Sequence, residues 1–145
     1  MIYSLCFSDQ DLYSTSHGSN DGTVGSLNSS SNSLINAIQN GTNQAEELTS
    51  IEIDSNGNVI IGGWTYGDWF SQNQGGKDLL VIKYDSYLNL IWGWQYGGND
   101  HALINDVSFD LFGDIWIGGE TESSLFSSNQ GIQVDSLLKL NQKDL

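Results

Sequence analysis

Proline is absent from the chain, cysteine occurs once, and 4 basic residues stand against 18 acidic ones. Each shortage excludes something. A single Cys closes no internal disulfide and supplies no zinc framework. So few Lys and Arg leave little to neutralise phosphates, and nucleic acid is not expected as a partner. No apolar run is long enough for a membrane-spanning helix, and Met1 to Phe7 has neither the basic start nor the apolar length of a secretory signal. Lack of proline removes one device that protects strand edges from unwanted pairing. Charged residues make up only 15% of the chain, so the net charge of −14 comes from one-sidedness rather than density. Such a charge repels itself within an assembly and favours cations or a basic partner. The 145 residues suffice for one domain with a sizeable core.

What is present is a repeat. Asp54, Gly57, Gly62, Gly63, Thr65, Phe70, Ser71, Asn73, Gln74 and Gly75 recur as Asp110, Gly113, Gly118, Gly119, Thr121, Phe126, Ser127, Asn129, Gln130 and Gly131, always 56 residues later. Lys83 recurs as Lys139. The same offset maps Leu90, Ile91, Gln95, Gly97 and Asn99 back onto Leu34, Ile35, Gln39, Gly41 and Asn43. Before Leu34 the match fades. The chain therefore holds about 2.6 units of 56 residues, and such periodicity signals a repeat architecture.

One unit reads as four strands: Thr49 to Asp54, Val59 to Thr65, Leu79 to Asp85 and Leu90 to Tyr96. Turn chemistry separates them at Ser55-Asn56-Gly57-Asn58, Tyr66-Gly67-Asp68, Gly75-Gly76 and Gly97-Gly98-Asn99. No segment keeps a 3.6-residue period, so almost no helix is expected. Val59-Ile60-Ile61 and Leu79-Leu80-Val81-Ile82 are apolar on both strand faces, whereas a sheet with one wet face would alternate. An all-β fold of antiparallel four-stranded β-propeller blades accounts for this, each blade lying between neighbours. The pairs Gly62-Gly63 and Gly118-Gly119 inside second strands are expected where successive blades approach closely. Ile2 to Phe7 falls in the place of a second strand and Ser136 to Leu140 in that of a third. The phase gives a partial, degenerate first blade over 1–40, a complete one over 41–97 and a partial last one over 98–145. Propellers have 4–8 blades, so the ring is incomplete unless the chain is oligomeric or a fragment.

The residues Asp54-Ser55-Asn56-Gly57-Asn58-Val59-Ile60-Ile61-Gly62-Gly63-Trp64-Thr65, then Asp78, Val81-Ile82-Lys83-Tyr84-Asp85, Leu90-Ile91-Trp92 and Gln95-Tyr96-Gly97-Gly98, resemble the SBBP-type β-propeller repeat. The likeness covers Leu34 to Leu145. The later copy departs from it, with Leu111-Phe112 for the Ser-Asn pair and Val134 opposite Asp78; the earliest has Asn36 opposite Trp92. The resemblance implies a repeat module of secreted or cell-surface proteins, with a binding or structural role and no catalytic residue.

Candidate chemistry is sparse because most distinctive residues repeat. Asp54, Asn56 and Asn58 cluster oxygens that suit calcium, although the spacing and distal Glu of an EF-hand are missing. The competing reading is a tight hairpin turn with Gly57 at positive φ. Asp100, Asp106, Asp110 and Asp114 crowd the last copy, and paired carboxylates can do glycosidic work. Repetition marks Asp110 as scaffold, and solvated turns are expected for the group. His101 stands at a turn, as a base, a metal ligand, a pH-sensitive contact or a surface residue. His17 has no nearby partner in sequence, and Cys6 is expected as a small buried hydrophobe. Trp92, Trp94 and Tyr96 share one strand face and, with Trp116, suit core packing between blades. Trp64 and Trp69, with Phe70 beside Trp69, are the aromatic candidates for a ligand or partner contact. The sequence thus points to a non-catalytic module for protein interaction or surface assembly, pairing with itself or another protein through open edge strands. A glycan-binding or carbohydrate-active propeller is the alternative, and a calcium-stabilised repeat a third.

Overall fold

The computed structural model describes residues 1–8, 20–122 and 134–140, with side chains for 1–5, 20–122 and 139–140. The alternation and apolar runs produce strands: β1 (Ile2–Ser8), β2 (Asp21–Leu27), β3 (Leu34–Asn40), β4 (Glu46–Ile53), β5 (Val59–Thr65), β6 (Asp78–Tyr84), β7 (Leu90–Tyr96), β8 (Ala102–Phe109), β9 (Ile115–Thr121) and β10 (Val134–Leu140). No helix occurs among the described residues. The fold is all-β, in three antiparallel sheets ordered β1-β2-β3, β4-β5-β6-β7 and β10-β9-β8, none closed on itself. The second strands expected at Val59–Thr65 and the fourth at Leu90–Tyr96 are found at those bounds. His17 and the repeated run Phe126 to Gly131 lie outside the described residues, as does the Cys6 side chain.

The first strand of the unit differs from expectation, running from Glu46 rather than Thr49. Glu46 and Glu47 look like loop in sequence. Glu46 is nevertheless buried, because it pairs with Thr65 across the sheet and accepts a hydrogen bond from the Thr65 hydroxyl at 2.8 Å. A bulge between Leu48 and Ser50 then shifts the register, so that Leu48 and Ile51 both reach the core side. The same bulge recurs in β8 between Ile104 and Asp106.

The middle sheet is apolar on both faces because both are covered. Val59, Ile61, Leu80 and Ile82 pack with Val24 and Leu48 toward the first sheet. Ile60, Leu79 and Val81 pack with Ile104, Val107, Ile115 and Ile117 toward the third. Each fully buried aliphatic side chain contributes about 1.5–3 kcal/mol. Hydroxyls join the second interface: Thr49 Oγ1 donates to the Ile104 carbonyl, and Ser50 Oγ donates to Asp106 Oδ1 at 2.8 Å while accepting the Val107 N–H at 3.1 Å. Asp106 is therefore a strand residue at a sheet junction, not the solvated turn expected of it.

The paired glycines have two separate causes. A Cβ on Gly62 would lie 2.7 Å from Ile104 Cγ2 and from Val107 Cγ1, so the neighbouring sheet uses that space as anticipated. A Cβ on Gly63 would instead strike the Glu47 carbonyl oxygen, pushed inward by the bulge of its own sheet, and Gly119 meets Leu103 in the same way. Replacing Gly63 or Gly119 by Ala is expected to cost about 1–3 kcal/mol, because backbone cannot swing aside as a side chain can. Urea denaturation of the two variants checks this; a midpoint equal to that of the parent would show that the bulge relaxes freely.

Candidate functional site at the loop end

Antiparallel order places the short turns at one end of the sheets and the longer loops at the other. The short-turn end is uniform. Asp54 Oδ1 accepts the N–H groups of Asn56 and Asn58, both at 2.9 Å, and its Oδ2 accepts Asn58 Nδ2 at 2.9 Å and faces Lys83 Nζ at 3.1 Å. Gly57 sits at φ +82°, the positive value expected of it. Asp85 accepts from Tyr87, Asn89 and the Asn89 amide in the same way. Asp110 accepts from Phe112, Asp114 and Trp116 Nε1, with Lys139 Nζ at 3.0 Å. Burial works against the Asp110 carboxylate, but these donors outweigh it and hold its pKa down to about 2. The Asp54 pKa is likewise lowered, partial burial being outweighed by hydrogen bonds from Asn58, Lys83 and Asn56. The three residues proposed for calcium thus form a hairpin turn whose carboxylate already holds an ammonium group.

The loop end is built around buried polar side chains. Gln95, on β7, is buried and saturated. Its Oε1 accepts the backbone N–H groups of Trp69, Phe70 and Ser71 at 2.9, 3.1 and 3.4 Å. Its Nε2 donates to the Gly67 carbonyl and to Asp78 Oδ2, both at 2.9 Å. One glutamine therefore ties the β5–β6 loop to the sheet. Asp78 in turn accepts from the Gln74 N–H, and its carboxylate fills the space where a Cβ on Gly97 would stand.

On the first strand of the same sheet, where it faces the first sheet, the pattern changes. Glu46 Oε1 accepts the Thr42 and Thr65 hydroxyls, and its Oε2 accepts the Thr42 N–H at 2.9 Å. A Cβ on Gly41 would lie 2.5 Å from Glu46 Oε2 and against Asp21 Oδ1, so two fully buried carboxyls converge where that glycine has no side chain. Burial raises the Glu46 pKa, as does the charge of Asp21, against the lowering effect of the threonines. Burial also raises that of Asp78, with Gln95 opposing. In the third sheet Ala102 occupies the place of Glu46.

These anchors present the aromatic residues. Trp69 and Phe70 stack with ring centroids 5.5 Å apart and planes 7° from parallel, and Phe70 lies over Gly93, which has no side chain to obstruct it. Trp64 is covered by Lys77 Nζ at 3.7 Å from its ring centroid and meets Tyr66 edge-on at 5.4 Å. Tyr66 meets His101 edge-on at 5.9 Å, and His101 Nδ1 accepts the Lys77 N–H at 3.0 Å. The four predicted contact residues, Trp64, Trp69, Phe70 and His101, thus all sit at this end. Trp64, Phe70 and His101 brace the loops. Trp69 also lines a groove of about 550 Å³, with Thr42, Asn43, Gln44, Tyr66 and Asp68. Trp92 and Trp94 pack on the second core, and Tyr96 stacks on Trp94 at 5.6 Å. Gln95, Glu46 and Asp78 build the site although no binding motif in the sequence marks them. Their signal was present, since polar residues inside strands are expected only where a partner awaits them, and Gln95 repeats as the buried Gln39.

Two outcomes follow from this geometry. Gln95→Ala leaves three N–H groups and a carboxylate without their partner, and is expected to cost about 1–3 kcal/mol and more if the loop detaches. Thermal melting combined with tryptophan emission checks it; an unshifted emission maximum would contradict the anchoring role. Glu46 has a folded pKa above its ordinary value of about 4.5, so the native state retains a proton that the unfolded chain releases. Its contribution to stability is thus greatest below that ordinary value and declines as pH rises through the folded pKa. Glu46→Gln is expected to flatten that decline in denaturation series between pH 4 and about 7, and parallel profiles for variant and parent would refute the assignment.

No family model matches the chain, and no curated protein does either.

Proposed function

We propose that the chain is a non-catalytic β-propeller-repeat module of the SBBP type, working in protein interaction or surface assembly. What supports this reading is that the distinctive polar residues are consumed internally. Asp54, Asp85 and Asp110 hold turns, Gln95 and Asp78 hold a loop, and Ser50 and Asp106 hold two sheets together. The sheets stack face to face with the first strands β4 and β8 at the contacts, as blades do around a propeller axis. Among the described residues, β1 and β10 each pair on one side only. Open strand edges favour pairing with another chain. By the same resemblance the module belongs to a secreted or cell-surface protein.

Sedimentation velocity over a concentration series is the test. Species larger than the monomer are expected, and their share should grow with salt, because screening weakens the repulsion of a net charge of −14. A folded monomer at every concentration and salt level would rule out assembly of the chain with itself.

A second reading is favoured by the groove. An aromatic wall of Trp69 and Tyr66 beside the carboxylate of Asp68 and the amides of Asn43 and Gln44 combines flat apolar surface with directional polar groups, the combination that binds a sugar ring. Titration with neutral oligosaccharides is expected to change tryptophan emission in the parent and not in Trp69→Ala. An unchanged signal together with a blank glycan array would end this reading.

A further inference from the structure

The lysines of this chain are few, and the described ones all stand over aromatic rings. Lys77 Nζ lies 3.7 Å from the Trp64 ring centroid. Lys83 Nζ lies 5.9 Å from that of Phe109 and faces Asp54 Oδ2 at 3.1 Å. Lys139 Nζ lies 5.3 Å from that of Trp116, with Asp110 and Asp114 at 3.0 and 2.8 Å. Lys143 lies outside the described residues. A cation between a ring face and a carboxylate is attracted by both.

The groove at the loop end carries the same pairing without a lysine. Asp68 lines it, is exposed, and accepts the Asn73 N–H on Oδ1 at 2.8 Å. The three described lysines are engaged elsewhere, so none of them neutralises it. Burial raises the Asp78 pKa, and the charge of Asp68 adds to that rise. Trp69 is held ready beside Asp68: Gln95 Oε1 accepts its N–H at 2.9 Å, and Phe70 stacks on its ring. The opposite wall brings the amides of Asn43 and Gln44. Behind Gly41 and Thr42 lie two further carboxyls, those of Glu46 and Asp21. No described lining residue is basic.

We propose that this groove seats the guanidinium group of an arginine side chain from a partner protein, stacked on Trp69 and paired with Asp68. The proposal rests on the protein-interaction reading above and adds the site and the chemistry of the partner. Charge complementarity carries it. A net charge of −14 draws in a basic segment, and a neutral sugar would leave Asp68 unanswered. Guanidinium suits the groove better than ammonium, because it is planar, stacks on rings and donates to several oxygens at once. The chain contains no arginine, so a second copy of these 145 residues does not supply it.

The test titrates the isotope-labelled full chain with the peptide acetyl-Gly-Ser-Arg-Ser-Gly-amide and follows backbone amide shifts by NMR. Shifts are expected at Asn43, Tyr66, Asp68 and Trp69, and they should weaken with salt. The same peptide with citrulline for arginine keeps the shape, loses the charge and is expected to bind about tenfold more weakly. Asp68→Asn keeps an oxygen for the Asn73 N–H and should also weaken the arginine peptide about tenfold, with an unchanged urea midpoint. Trp69→Leu, which installs the residue found 56 positions later, should weaken it about threefold. Equal binding of the citrulline peptide, or equal binding by Asp68→Asn, would overturn the proposal. So would shifts scattered over the acidic surface, which mean general attraction. Groove shifts with a neutral oligosaccharide but not with the arginine peptide would assign the groove to sugar instead. If the groove ignores the peptide while sedimentation shows larger species, the proposal fails and the protein-interaction reading stands. A silent groove in a chain that stays monomeric removes the support of both.

Discussion

A sheet that is apolar on both faces cannot bury itself. Val59-Ile60-Ile61 alternates sides with every residue, so Val59 and Ile61 point toward the first sheet and Ile60 toward the third. The middle sheet is therefore stable only between its two neighbours, and the rest of the molecule follows from that constraint. Close stacking needs gaps, which Gly22 and Gly62 provide. It also needs first strands whose side chains reach across, which the bulges at Leu48 and Ile104 produce by turning consecutive inner residues toward the core. The hydroxyls of Thr49 and Ser50 then satisfy backbone and carboxylate groups that stacking removes from water.

The two ends of the stack are built on different electrostatic principles. At the short-turn end, carboxylates accept several N–H groups and face lysines, which favours their ionised form. At the loop end, burial disfavours the ionised form of the carboxyls and outweighs the hydrogen bonds from hydroxyls and an amide that favour it. Asp54 and Asp110 accordingly lose their stabilising effect as pH falls through their lowered pKa values, whereas Glu46 and Asp78 lose theirs as pH rises through raised ones. The chain thus spreads its acidic residues between turn-making and loop-anchoring. It leaves the loop end as the surface where aromatic rings and a groove are displayed.

Much of this was readable in advance, and for identifiable reasons. Repetition at 56 residues located the second and fourth strands, because Gly and β-branched residues recur at fixed offsets. Asp-x-x-Gly located the turns, because the side chain caps N–H groups two and four residues on. Glu46 and Glu47 hid the start of β4, since a buried carboxylate looks like loop until its threonine partners, 4 and 19 residues away, are brought beside it. Gln95 was hidden likewise, its loop contacts lying 24 to 28 residues away.

By itself the sequence determined the all-β character, the strand order within each unit and the turn geometry, because these depend on local alternation and on glycine and aspartate at set spacings. Only the tertiary structure decided what each glycine is for. Gly62 and Gly118 hold equivalent places in the repeat and in strand register, yet a Cβ on Gly62 would meet Ile104 and Val107 of the neighbouring sheet, whereas among the described residues nothing lies within 4 Å of one on Gly118. The difference is long-range packing, which no local pattern encodes. The absence of proline, a shortage in the composition, left the strand edges without one means of protection; the structure shows β1 and β10 each paired on one side among the described residues.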